Sequence, residues 1–260
     1  MSDWDVSRAA TALLDAEATR TDRRPVTDDW PELDLATAYQ VQDELIRRKV
    51  ADGEHIVGVK LGLTSRAKQR RLGIDSPLVA WLTDAMVLQA GVPVPTGRLI
   101  HPRVEPEIVF VLGERLSGPG VTAATAMAAV RSVSAGLEVI DSRFIDFRFT
   151  LPDVVADNAS SARFVVGGAE RDPRSLDLAL EACVLSVNGT VVDSATGAAV
   201  QGHPAEALAL AANALAERGI ALEPGWVVLT GGMTDAVFIE PGDQIAAEFT
   251  HLGNVVVGGV

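Results

Sequence analysis

Glu105-Pro106-Glu107 places two carboxylates at i and i+2, directly before the apolar run Ile108-Val109-Phe110-Val111. On a strand that spacing aims both at one face. Two like charges entering a buried segment are costly unless a cation neutralises them. Carboxylate oxygens are hard ligands that suit Mg²⁺, Mn²⁺ or Ca²⁺. The plainer reading is a solvated doublet at a strand end, beside His101 and Arg103. Glu138 adds a third acid, inside the apolar stretch Gly136-Leu137-Glu138-Val139-Ile140. Three carboxylates from two neighbouring strands would hold an ion and leave positions open for substrate or water. Taken alone, Glu138 would form a buried salt bridge to Arg143 or Arg148.

Lys60 sits in Val57-Gly58-Val59-Lys60-Leu61-Gly62-Leu63, and the chain has only two other lysines, Lys49 and Lys68. A buried lysine can move protons or pair with a substrate carboxylate. A snorkelling lysine with a solvated head is the alternative. Asp157-Asn158-Ala159-Ser160-Ser161 lies between Val154-Val155 and Phe164-Val165-Val166. It reads as a turn, or as a source of hydroxyl and N–H donors for an anion. Gly231-Gly232 allows close backbone approach. No glycine-rich phosphate loop stands at a strand-to-helix junction, no H-E-x-x-H is present, and His55, His101, His203 and His251 lack ligand-like spacing.

These residues need a scaffold, and 260 residues with 48% apolar side chains are enough for a substantial core. The net charge of −13 carries no basic block. That disfavours nucleic acid and an anionic membrane surface as partners. No uncharged apolar run approaches the ~20 residues of a membrane span, and the start of the chain lacks a signal-peptide core. The lone Cys183 excludes an intrachain disulfide and a thiolate metal site, which fits a reduced, cytoplasmic setting.

Helical spacing of Ala9, Leu13, Leu14 and Ala18 predicts a first helix after Ser7, and residues 21–34 form a polar loop holding Pro25 and Pro31. Asp34 caps a second helix that stops near Asp52-Gly53. A strand follows from His55 to Leu63, then a short basic helix capped by Thr64 or Ser65 and ending at Gly73. Strands are expected over Glu105–Leu112 and Gly136–Ile140, with an Ala-rich helix over Ala123–Val133 between them. Asn188-Gly189 signals a hairpin, and Ala205–Glu217 reads as a helix stopped by Gly219. Short strands over Trp226–Thr230, Gln244–Thr250 and Asn254–Val257 close the chain. Residues 1–54 are therefore expected as a helical segment packed on a β-rich body, 55–260, in a single α+β domain. Strands and helices do not alternate, which disfavours a doubly wound parallel sheet.

The motifs resemble the 2-keto-4-pentenoate hydratase and 4-oxalocrotonate decarboxylase family of the fumarylacetoacetase-like superfamily. The match runs through Val57–Ser65, Leu99–Glu107, Leu137–Arg143, Val154–Ser161, Gly202-His203-Pro204 and Thr230-Gly231-Gly232, in order. The resemblance implies a β-rich mixed-sheet roll around Mg²⁺ or Mn²⁺, with Glu105, Glu107 and Glu138 as metal ligands and Lys60 as the active-site lysine. It places Ser160, Ser161 and Asp157 near a small anionic 2-oxo acid. It also implies a homo-oligomer, or a complex with the partner hydratase or decarboxylase. Family members often carry an aromatic and a glycine after the short helix, where this chain has Pro77-Leu78-Val79-Ala80.

Two reactions share the enolate chemistry of such a site: decarboxylation of 2-oxo-3-hexenedioate to 2-hydroxypenta-2,4-dienoate, and hydration of that dienol at C4. Arg163–Gly168, Thr230-Gly231-Gly232 and Pro241-Gly242-Asp243 resemble the decarboxylase branch, whereas Phe149–Asp153 resembles the hydratase branch. Decarboxylation is the first expectation and hydration the second. A non-catalytic metal- or ligand-binding member is a third. Hydrolysis of acylpyruvates is disfavoured, because that group uses an N-terminal His-Glu pair and no histidine precedes His55.

Overall fold

The computed structural model describes residues 3–65, 69 and 77–260. Helix α1 (Val6–Thr19) starts at Asp5, whose side chain accepts from the Arg8 N–H, and ends at Arg20 in the left-handed conformation. A one-turn helix α2 (Val26–Asp29) interrupts the polar loop. Helix α3 (Leu35–Ala51) is capped by Asp34, as its sequence predicts. The apolar stripes of α1 and α3 pack on each other and on the body, so Ala9, Leu13, Val41 and Leu45 share one core with Val104, Phe110 and Val155. No helix among the described residues is long and apolar enough to cross a membrane.

The body is a curled mixed sheet. Its strands are β1 (Ile56–Gly62), β2 (Leu78–Thr83), β3 (Arg103–Leu112), β4 (Val130–Ile140), β5 (Ser161–Val166), β8 (Val227–Leu229) and β9 (Val237–Phe238), in the order β2-β1-β8-β3-β4-β5 with β9 beside β3. Only β1 and β8 run parallel; the other pairs are antiparallel. A second sheet, β11-β10-β6-β7, is built from β6 (Ala182–Val187), β7 (Thr190–Thr196), β10 (Gln244–Phe249) and β11 (Gly253–Gly258). Asn188 and Gly189 both take positive φ, the geometry expected of an Asn-Gly hairpin.

Three further α-helices among the described residues are α4 (Ala123–Ala128), α5 (Leu151–Ala156) and α6 (Pro204–Glu217). The Ala-rich helix expected to reach Val133 stops at Ala128. From Val130 the backbone pairs with β3, Val130 opposite Leu112 and Val133 opposite Phe110. β-Branched valines with an apolar partner strand favour the ladder over another helical turn. Strand β2 escaped the sequence reading, because its continuous burial gives no alternation. The expected short basic helix ending at Gly73 falls largely outside the described residues.

Candidate metal centre

The long antiparallel pair β3–β4 builds the acidic cluster. Its register sets Glu105 opposite Glu138 and Glu107 opposite Gly136. Directly opposed residues share a face, as do residues two apart on one strand. All three carboxylates therefore turn into the same concave side, and one oxygen from each lies within 4.8 Å of the others. Glu107 and Glu138 are 0% and 1% exposed. Burial holds the Glu107 carboxyl well above the ordinary range. The charges of Glu138 and Glu105 push the same way, against the Gly231 N–H and Lys60.

Lys60, on β1, is 2% exposed. Its Nζ donates to Glu138 Oε2 at 3.2 Å and lies 3.1 Å from Oε1. The snorkelling reading of Lys60 does not hold. Nor does a salt bridge from Glu138 to Arg143 or Arg148: among the described residues the partner of Glu138 is Lys60, and Arg143 pairs with Asp157. β1 stands three strand steps from β4, a lateral separation of ~14 Å in a flat sheet. A lysine side chain cannot cross that distance, so the contact requires the sheet to curl. The ends of the β1–β8–β3–β4 arc meet over the cluster.

The donor set fits a hard divalent cation. Glu107 Oε1 is buried without a hydrogen-bond partner, and the two fully buried acids share one ammonium among the described residues. An unneutralised arrangement of this kind is expensive. The glycine pair after β8 fits around the acids. The Gly231 N–H donates to Glu107 Oε2 at 2.6 Å, and Gly231 takes φ +112°, with Thr64 Oγ1 2.2 Å from where a Cβ would stand. A Cβ on Gly232 would lie 2.2 Å from Glu105 Oε2. The pair is therefore more than a tight turn, since larger residues would displace Glu105 and Thr64.

A second wall comes from residues 157–161. Asn158, Ala159 and Ser160 take φ of +48°, +50° and +59°, three consecutive non-glycine residues in the left-handed region. Such a run is strained and persists only where the surroundings enforce it. Here the Asn158 side chain accepts from Trp81 N–H at 2.8 Å and donates to Trp81 O at 2.9 Å. Arg143, fully buried, donates to the Asp157 carboxylate and to Asp157 O. Burial pushes Asp157 up to about 6, against the pull of Arg143. Ser160 lines the cavity above the acids, with Oγ 3.3 Å from Asp157 Oδ2. Asp157 and Ser161 are not among the cavity-lining residues. Ser161 Oγ donates to Asn158 O at 2.8 Å, so both side chains brace the segment from behind.

The cavity measures ≈470 Å³, within the size range of small-molecule sites. Glu105, Lys60 and Ser160 line it, with Leu61, Leu78, Ile140 and Phe149 supplying apolar wall. Leu78 comes from the stretch that departs from the family pattern, Pro77-Leu78-Val79-Ala80, and β2 supplies that wall as a regular buried strand. Arg103 and Phe147 also line the cavity, and sequence reasoning missed both. Arg103 stands two residues before Glu105 on β3, so its side chain shares the face of the acids. That spacing was visible, but His101 and the following acids made Arg103 read as a solvated neighbour. Phe147 lies in a segment without periodicity, where Asp146 and Phe147 both take φ of +55°. Cys183 plays no part: burial pushes its thiol up to about 12, leaving it protonated and inert.

The family model described as fumarylacetoacetate (FAA) hydrolase C-terminal matches residues 46–257. The chain is 45% identical over 246 residues to a 4-oxalocrotonate decarboxylase from Pseudomonas sp. (strain CF600), covering 95% of this chain and 93% of that one. It is 42% identical over 241 residues to a 2-hydroxyhexa-2,4-dienoate hydratase from Comamonas testosteroni, covering 91% of each. A solved 4-oxalocrotonate decarboxylase from Pseudomonas putida G7, complexed with magnesium and adipate, superposes with a TM-score of 0.95 at 42% identity, over 98% of this chain and 97% of that one.

Proposed function

The chain belongs to the fumarylacetoacetate hydrolase C-terminal family, and from that premise we propose that it is a divalent-metal-dependent lyase that removes CO₂ from 2-oxo-3-hexenedioate to give 2-hydroxypenta-2,4-dienoate. The observation that carries the proposal is the convergence of Glu105, Glu107 and Glu138 beneath a small-molecule cavity, with a buried oxygen of Glu107 unsatisfied. Likeness to the decarboxylases over nearly the whole chain supports this choice of reaction. In this reading Glu105, Glu107 and Glu138 hold Mg²⁺ or Mn²⁺, which when bound supplies Lewis-acid stabilisation to charge developing on the 2-oxo group.

The chain's own residues do the rest. Lys60 holds a proton at Nζ beside Glu138 and presents positive charge to the 2-oxo acid end. Ser160 Oγ turns its single proton from Asp157 Oδ2 to the C1 carboxylate when substrate binds, on a segment whose geometry Arg143, Asp157 and Ser161 maintain. Leu61, Leu78, Ile140 and Phe149 exclude water from the chain between C3 and C5. When the C5–C6 bond breaks, CO₂ leaves, and its electron pair moves through C4 and C3 toward the C2 oxygen. Exclusion of water at C4 also disfavours the competing hydration.

Product analysis tests this reading. With Mg²⁺ and 2-oxo-3-hexenedioate, one CO₂ should be released for each 2-hydroxypenta-2,4-dienoate formed. Conversion of the dienol to 4-hydroxy-2-oxopentanoate, with no CO₂ from the hexenedioate, would assign hydration instead. That outcome has its own support in the hydratase relatives and in the hydratase-like stretch Phe149–Asp153.

A further inference from the structure

Among the described residues, Arg103 differs from the other cations of the site in having no ion-pair partner. Lys60 is committed to Glu138 and Arg143 to Asp157. Arg103 makes no ion pair and no hydrogen bond among the described residues, and its Nε is buried without a partner. Its contacts are aromatic. The guanidinium carbon lies 4.0 Å from the ring centroid of Phe147 and 4.3 Å from that of Phe238. Phe238 is placed by strand pairing, since it stands opposite Arg103 in the β3–β9 register. Phe147 is placed by its left-handed turn and by His101, whose ring lies 4.7 Å away. His101 is fixed in turn, with Nε2 2.7 Å from Ser142 O. Two aromatic faces hold a guanidinium by cation–π attraction and pre-orient its N–H fork at little entropic cost. An exposed phenylalanine, Phe238 at 56%, is thereby tied to one position.

Strand β3 also sets a distance. Alternate residues on a strand are ~6.6 Å apart, so Arg103 precedes Glu105 by that spacing and Glu107 by twice as much, all on one face. An extended six-carbon dioate spans roughly 6 Å between its carboxyl carbons, from five C–C bonds of ~1.5 Å. A dicarboxylate with its 2-oxo end near the acids therefore presents its far carboxylate to the level of Arg103, where an unpaired fork faces the same cavity. Arginine is well suited to planar, bidentate carboxylate recognition.

We propose that Arg103, clamped between Phe147 and Phe238, recognises the distal carboxylate and selects dicarboxylate over monocarboxylate 2-oxo acids. The proposal rests on the reading that Glu105, Glu107 and Glu138 hold a divalent ion at the 2-oxo acid end. It assigns Arg103 to binding and orientation; the bond-breaking step needs nothing further from it.

Calorimetric titration of Mg²⁺-loaded protein tests it with two non-reacting probes. They are 2-oxoadipate, which lacks the C3–C4 alkene, and 2-oxohexanoate, which also lacks the distal carboxylate. Wild type should bind 2-oxoadipate roughly ten- to a hundredfold more tightly, the range of a charge-assisted pair. Arg103→Met, which keeps an apolar stem between the rings, should abolish the preference and leave the 2-oxohexanoate affinity within about threefold. Arg103→Lys should keep part of the preference, having charge without the fork. Equal affinities in wild type would overturn the proposal, whether or not Arg103→Met folds. So would an undiminished preference in Arg103→Met, or an equal loss for both probes. If neither probe binds wild type with Mg²⁺ present, the metal-site reading itself fails and takes this proposal with it. Clear binding of both probes without preference refutes only the role of Arg103.

Discussion

Glu107→Gln should abolish turnover while making the metal-free protein more stable. The two effects share one cause. Glu107 is fully buried with one oxygen unpartnered, beside two further carboxylates. Burial and the charges of Glu138 and Glu105 hold its pKa well above the ordinary value. A carboxyl whose folded-state pKa is raised is progressively disfavoured in the folded state as pH rises above its unfolded value. At neutral pH the unfolded chain gains from ionising Glu107 while the metal-free fold resists it, and glutamine removes that difference while its carbonyl can still accept from the Gly231 N–H. The denaturation midpoint in chelator should therefore rise. Mg²⁺ affinity should fall by more than about tenfold, since losing even a group behind a ligand costs about ten- to a hundredfold. Turnover should fall about a thousandfold or more once Lewis-acid stabilisation is lost. Mg²⁺ must displace a proton from this cluster, so wild-type affinity should climb with pH; in Glu107→Gln that climb should be much reduced. Wild-type Mg²⁺ binding by Glu107→Gln, measured by calorimetry, would contradict the assignment.

Lys60→Ala should act in the opposite sense on stability and leave the metal in place. Lys60 Nζ is the cationic partner of buried Glu138. Breaking a buried pair by removing one partner costs ~3–5 kcal/mol, because the remaining charge stays buried and uncompensated. The chelated variant should therefore melt well below wild type. Mg²⁺ supplies replacement charge, so saturating Mg²⁺ should recover much of the loss and binding should stay within several-fold of wild type. Turnover should remain lower by about a hundred- to ten-thousandfold, the usual contribution of a positioned proton-transfer group. Lys60→Met, which keeps more apolar volume, separates packing from chemistry and should be equally inactive. Near-wild-type turnover by either folded variant would remove Lys60 from the mechanism.

The acid cluster was legible because strand periodicity is unforgiving. Glu105 and Glu107 at i and i+2 must share a face, and Glu138 interrupts a strand with no other reason to carry charge. What the sequence could not convey was register: that Glu138 stands opposite Glu105, and Glu107 opposite a glycine, is a property of the β3–β4 pairing. The partner of Lys60 depended on the curl of the sheet, which brings together strands separated by two others. The Asp-Asn-Ala-Ser-Ser segment was recognisable as a unit, yet its internal division was hidden. Ser160 faces the cavity while Asp157 and Ser161 brace it, because consecutive left-handed residues reverse the directions that a simple turn would give. Arg103 was overlooked for a similar reason. Its partners Phe147 and Phe238 come from an aperiodic turn and a two-residue strand, neither of which has a signature of its own. The Ala123–Val133 helix failed where tertiary pairing overrode local propensity.

The most direct measurement of the central claim is the anomalous signal of Mn²⁺ in crystals grown with the ion and oxalate. One strong peak is expected in the cavity, within about 2.0–2.6 Å of an oxygen from each of Glu105, Glu107 and Glu138, with oxalate on its open side toward Ser160. A peak ligated elsewhere, or three carboxylates left without an ion at saturating Mn²⁺, would contradict the account.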